Sequence, residues 1–124
     1  MSPKKAKDFR ALRQQVYERA RGACERCGYT LGEVWECHHR KKRSQGGEDT
    51  VTNLVALHMD CHNAGVPGSV HHSPGRAYSD GFLVWRRFDP REAPLHLHGE
   101  RWVVLEPDGT YAPTDSPHDD EAEA

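Results

Sequence analysis

Twenty-seven residues, ECHHRKKRSQGGEDTVTNLVALHMDCH, run from Glu36 to His62. Cys37, His38, His39, His58, Cys61 and His62 are six groups there that can bind metal or move protons. Just upstream stands Cys24-x2-Cys27, followed by Gly28, the pattern of a zinc knuckle: two thiolates at a turn and a glycine that permits a tight backbone. The same x2 spacing recurs at His58 and Cys61, so Cys24, Cys27, His58 and Cys61 make a Cys3His set suited to a structural zinc ion. A redox reading of Cys24 and Cys27 would need a surrounding βαβ pattern, which the sequence lacks. Cys37 is expected in a strand as a small buried residue.

His38 and His39 are adjacent, and a regular strand turns neighbours to opposite faces. They suit one metal ligand and one proton acceptor better than two ligands of the same ion. Asn53 can hydrogen-bond across the mouth of the intervening loop or orient an imidazole. Arg40, Lys41, Lys42 and Arg43 follow the histidine pair directly and suit the phosphates of a polyanion.

The elements that must position these groups can be read coarsely. Residues 1–7 look basic and disordered. Asp8 is placed to cap a helix running to about Arg21, with Phe9, Leu12, Val16 and Tyr17 as its apolar stripe and Arg10, Arg13, Arg19 and Arg21 on the remaining surface. Gly22 sits where a C-cap glycine belongs. Val34 to His38 reads as a strand, 40–52 as a loop turning at Ser44-Gln45-Gly46-Gly47, and Leu54 to Leu57 as a buried strand. A helix from Met59 would carry Cys61 and His62 side by side until Ala64-Gly65-Val66-Pro67-Gly68-Ser69 breaks it. Pro74 opens a further helix ending at Gly81. Phe82 to Trp85 reads as a strand, His96 and His98 as exposed strand residues, and Trp102 to Tyr111 as a hairpin about Pro107-Asp108-Gly109.

At 124 residues the chain should form one domain. With 35% hydrophobic residues and a mean hydropathy of −0.88, its core should be thin enough to need a metal staple. The net charge of −2 hides an asymmetry: residues 1–47 carry +7 and residues 48–124 carry −9. A basic half bearing the metal-ligand pattern suits a polyanionic substrate. No apolar run reaches membrane-spanning length, and MSPKKAKDFR has no leader-like apolar segment, so a cytoplasmic location with reduced thiols is expected.

Cys24-x2-Cys27, His38-His39, Ser44-Gln45-Gly46-Gly47, Asn53-Leu54-Val55 and His58-x2-Cys61-His62 together resemble the HNH endonuclease family. Val70-His71-x2-Pro74 and Arg101-Trp102-Val103-Val104-Leu105 look like its phage and actinobacterial type. The resemblance implies an α+β fold: a small ββα-metal (His-Me finger) domain with a zinc knuckle, an N-terminal helix and a C-terminal β-hairpin. Together with the element reading, it divides the chain into a basic segment and helix over 1–23, the nuclease core with structural zinc over 24–81, a β extension over 82–112 and a tail over 113–124 whose acidic composition reads as disordered. It implies metal-dependent hydrolysis of DNA phosphodiester bonds, by nicking or double-strand cleavage.

Carried over by position, His39 is the general base and Asn53 holds the loop. His38 and His62 bind the catalytic divalent ion, Mg2+, Mn2+, Ni2+ or Zn2+. A further ligand often stands four residues beyond that last histidine, where this chain has Val66. The third ligand is therefore assigned to His71, with His72 as the alternative. His58 replaces the usual cysteine, which zinc tolerates. Arg40, Lys41, Lys42 and Arg43 are expected to contact DNA phosphates. The expected partners are double-stranded DNA and, for a phage-encoded member in its host cytoplasm, phage packaging proteins. A zinc-stapled nucleic-acid-binding module without activity, or an adaptor using zinc for stability alone, would explain the cysteines. Neither explains His39 and Asn53 beside a second ligand set.

Overall fold

The computed structural model describes residues 3–62 and 69–118, with the backbone alone for 3–7. The expected break over Ala64 to Gly68, Val66 included, lies outside the described residues. So do Asp119, Asp120, Glu121 and Glu123 of the acidic tail.

Helix α1 spans Pro3–Ala20, beginning five residues before Asp8, inside the segment expected to be disordered. Arg21 and Gly22 take positive φ of 54° and 72°, and Gly22 N–H bonds the Tyr17 carbonyl, ending the helix at the expected glycine. Phe9, Leu12, Val16 and Ala20 lie on the core face. Tyr17 sits at its edge, against Trp35 at 5.7 Å between ring centroids.

Arg19 is not a surface residue as expected. It is buried on that same core face and forms an ion pair with buried Glu25 at 2.8 Å. Its guanidinium also donates to the Val51 and Leu54 carbonyls. Glu25 in turn accepts from Ala56 N–H and from the Tyr111 hydroxyl. This network joins α1, the cysteine turn, the central hairpin and the C-terminal sheet. The carboxylate accepts four hydrogen bonds and the guanidinium donates four, which is what a buried charge requires.

Strands β1 (Glu36–His39) and β2 (Leu54–Leu57) pair antiparallel, with His38 opposite Val55 and His39 opposite Leu54. All four residues of β2 are buried, as the apolar run requires. Val34 lies outside the strand and is exposed. Cys37 is half-buried opposite Ala56, and burial pushes its thiol up to about 12. Helix α2 (Met59–His62) follows β2 directly, so β1, β2 and α2 form a ββα unit. Helix α3 (Pro74–Asp80) starts at the expected proline and ends at Gly81, whose φ is 83°. A Cβ at Gly81 would lie 2.0 Å from the Pro94 carbonyl oxygen, so a side chain cannot be placed there.

Phe82 to Trp85 does not form the expected strand. Phe82, Leu83 and Val84 are buried, but their partners are single backbone groups of the helix end and of Arg40 rather than a ladder. Apolar character marked the burial and not the pairing. The C-terminal part is a three-stranded antiparallel sheet, one strand more than a hairpin: β3 (Leu95–Leu97), β4 (Arg101–Leu105) and β5 (Tyr111–Pro113) in that order. Leu95 and Leu97 face the core. His96 is half-buried against Trp102, and His98 lies beyond the strand at φ 58°. The chain does not become irregular at residue 113, because Pro113 pairs with Val103 and Thr114 N–H bonds the Trp102 carbonyl. Among the described residues no helix is long and apolar enough to cross a membrane.

Candidate functional site

Among the described residues two clusters of side chains suited to metal emerge, and both draw on α2, one through Cys61 and the other through His62. The first is Cys24, Cys27, His58 and Cys61, whose ligand atoms lie within 4.8 Å of one another. Cys27 Sγ is 3.1 Å and Cys61 Sγ 4.0 Å from His58 Nδ1. Donor atoms about 2.0–2.3 Å from a tetrahedral zinc ion would be separated by roughly 3.3–3.8 Å, so the set fits. His58 Nε2 donates to the Thr30 carbonyl at 2.6 Å, which leaves Nδ1 for the metal. A hydrogen bond from Cys61 holds the Cys24 thiol down at about 4, and the same contact raises Cys61. All four cysteines of the chain are free thiols.

The second cluster is His38, His62 and His71, again with ligand atoms within 4.8 Å of one another. His38 is on β1, His62 at the end of α2 and His71 just ahead of α3. His38 Nε2 donates to the Phe82 carbonyl at 2.7 Å, leaving Nδ1 open, and burial lowers its pKa to about 3, so the imidazole is neutral. His62 Nε2 and His71 Nε2 face each other at 3.0 Å. Such a pair needs either a proton or a cation between the nitrogens, and a metal ion satisfies all three imidazoles at once. His72 is outside this cluster: it is exposed and its Nδ1 meets Ser73 Oγ.

His39 points the other way from β1, as adjacent strand positions require. Its Nε2 lies 2.8 Å from Asp49 Oδ1, and its ring stacks on Phe9 of α1 at 6.2 Å and 18°. Asp49 also meets Arg43 at 3.2 Å. The hydrogen bond with His39, and then Arg43, hold the Asp49 carboxyl below its ordinary range. Asp49 was not singled out in the sequence. The only available signal was an acid within the Gly-rich loop, and a loop acid gives no hint of which side chain it will face.

Asn53 clasps that loop. Its Oδ1 accepts from Lys41 N–H at 2.8 Å, and its Nδ2 donates to the Lys41 and Glu48 carbonyls at 3.0 Å each. Of the two roles open to it, it takes the bridge across the loop mouth and not the orientation of an imidazole. Gly47 completes the closure, because a Cβ there would lie 1.8 Å from the Lys41 carbonyl oxygen.

Arg40 is not a phosphate contact. It is fully buried, and its guanidinium donates to the carbonyls of Gly81, Thr52, Pro90 and Ala93. Burial lowers its pKa to about 9. Lys41 Nζ donates to the Phe88 carbonyl. Lys42 and Arg43 are exposed at the cleft. That open cleft, of about 690 Å³, is lined by His38, His39, His62 and His71 together with Phe9, Arg13, Lys42 and Arg43. Arg13, which lies over the Trp35 ring at 3.8 Å, adds a cation that the sequence reading left among surface residues.

Residues 24–65 match the HNH endonuclease family model. The expected resemblance therefore holds over the segment carrying the zinc knuckle, β1, the loop, β2 and α2. Neither the curated proteins nor the solved structures contain a match to the chain. The HNH segment supplies all four Cys3His residues together with His38, His39, Asn53 and His62, while His71 comes from beyond it. The small α+β architecture, with its antiparallel hairpin, short helix and Cys/His cluster, is consistent with the ββα-metal fold of that family.

Proposed function

We propose that the chain is a metal-dependent endonuclease that hydrolyses DNA phosphodiester bonds, with His39 as general base. The observation carrying this reading is one open cleft lined by both His39 and the three-histidine set. A zinc-stapled binding module has no need of an oriented imidazole beside a second group of ligands.

The Asp49 carboxylate accepts from His39 Nε2, so that nitrogen carries the proton and Nδ1 is the base. Nδ1 removes a proton from water, and the oxygen attacks phosphorus as the bond to the leaving 3′-oxygen breaks. A divalent ion held by His38, His62 and His71 would supply Lewis-acid stabilisation of the phosphate and the leaving oxygen. An all-nitrogen set favours a transition metal, whereas the Cys3His set is suited to zinc. Lys42, Arg43 and Arg13 hold flanking phosphates and position the substrate without reading its sequence. Asn53 keeps the loop closed, so Asp49 meets His39. The partner in this reading is double-stranded DNA, and for a phage-type member also the packaging proteins of its host-cytoplasm assembly pathway.

Plasmid nicking by the wild type and by His39→Ala, across Mg2+, Mn2+, Ni2+ and Zn2+, tests the reading. His39→Ala should lose at least about two orders of magnitude in rate, the scale of a general base, with its melting temperature unchanged. No cleavage by the wild type with any ion, alongside retained DNA binding, would instead indicate the inactive module.

A further inference from the structure

Trp85, Arg86, Arg87 and Phe88 form an aromatic and basic turn that the proposed chemistry leaves unused. Trp85 is 52% and Phe88 48% exposed, and both arginines between them are exposed. The turn is built, not loose. Trp85 stacks one ring face on Tyr78 at 3.7 Å and 6°, and Phe88 N–H bonds the Trp85 carbonyl. Arg87 lies 5.1 Å from the Phe88 ring centroid. Neither Arg86 nor Arg87 has a carboxylate partner among the described residues. A concavity of about 420 Å³ is lined by Trp85, Arg86 and Arg87 alone.

The turn is tied to the strand and loop that carry the cleft. Phe82 accepts from His38, Val84 N–H bonds the Arg40 carbonyl, and Phe88 accepts from Lys41. Three residues of extended chain reach at most about 11 Å. The Trp85 backbone therefore lies within roughly three base-pair rises of the Phe82 carbonyl that holds His38. A flat ring with one face braced, flanked by two exposed guanidiniums that meet no carboxylate among the described residues, has the composition of a base-stacking platform on a phosphate track. Two adjacent guanidiniums without carboxylate partners among the described residues favour a polyanion as the occupant.

We propose that this turn is a second DNA contact: Trp85 stacks on an unpaired base while Arg86 and Arg87 hold the adjoining phosphates. The favoured substrate is then DNA with a gap, bulge or single-stranded segment close to the cleaved bond. This rests on the reading of DNA as substrate, but its test does not depend on cleavage.

The His39→Ala protein, with its zinc retained, is titrated by fluorescence anisotropy against a labelled duplex and against the same duplex bearing a three-nucleotide gap. The gapped DNA should bind about 5- to 100-fold more tightly, the scale of one base–aromatic stack. Trp85→Ala should abolish that preference, and Trp85→Phe should restore part of it. Arg86→Glu with Arg87→Glu, both fully outside the core, should weaken binding to both DNAs and flatten the salt dependence by one or two phosphate contacts. Equal affinity for the two DNAs, or a gap preference that survives Trp85→Ala, overturns the proposal. Unchanged affinity in the double arginine variant overturns it as well, and would leave the turn to a protein partner. A gap preference in a protein that never nicks plasmid would sink the nuclease reading and leave this contact standing.

Discussion

His39 Nε2 lies 2.8 Å from Asp49 Oδ1, ten positions further along a loop that Asn53 holds shut. One carboxylate thereby decides which imidazole nitrogen carries the proton.

Asp49→Asn should lower the nicking rate about 10- to 100-fold, the usual cost of losing an orienting partner, with little change in KM. An Asn amide can donate as well as accept, so it no longer enforces the tautomer. Asp49→Glu should recover part of the rate. Single-turnover nicking at saturating DNA is the measurement, and a rate equal to wild type in Asp49→Asn would remove Asp49 from the site.

His71 and His72 are neighbours with different surroundings, since only His71 faces His62 and His38. His71→Ala should weaken binding of the exchangeable divalent ion by at least about tenfold, while His72→Ala leaves it unchanged. Calorimetric titration of Ni2+ or Mn2+ into zinc-loaded protein distinguishes the two. The opposite pattern would transfer the ligand to His72.

Arg40 and its neighbours should separate stability from DNA affinity. Arg40→Met leaves four carbonyls without their donor and should cost at least about 3 kcal/mol in urea unfolding. Lys42→Ala and Arg43→Ala should leave the unfolding midpoint in place and each reduce the salt slope of DNA binding by about one. A stable Arg40→Met protein with weakened DNA binding would restore Arg40 to the phosphate-contact set.

The buried pair Arg19–Glu25 makes a further stability prediction. Glu25→Leu or Arg19→Met should each destabilise by about 3–5 kcal/mol, because either leaves an unmatched charge in the core. Tyr111→Phe removes one bond to the carboxylate and should cost about 1.5–3 kcal/mol. The double variant Arg19→Met with Glu25→Leu should recover much of the single loss, since it leaves neither charge behind. Urea unfolding of the wild type, the Arg19 and Glu25 single variants and their double variant gives the cycle.

The sequence by itself determined the features whose physics is local. Two x2 spacings place ligand pairs at single turns, and so the Cys3His set could be read without coordinates. Adjacent residues on a strand must diverge, so His38 and His39 were bound to serve different sides. Pro74 and Gly81 bounded a helix by backbone restriction alone. The tertiary structure decided the fate of every charge whose partner is distant in the chain. Arg40 meets its carbonyls 12 to 53 residues away, and Arg19 draws on residues 51 and 54 as well as Glu25. A guanidinium's own sequence neighbours cannot say whether it faces water or a ring of carbonyls. His71 joined the site, and Asp49 joined His39, only because two loops close in three dimensions. Chain closure over such distances depends on the packing of the whole domain and not on the spacing of any motif.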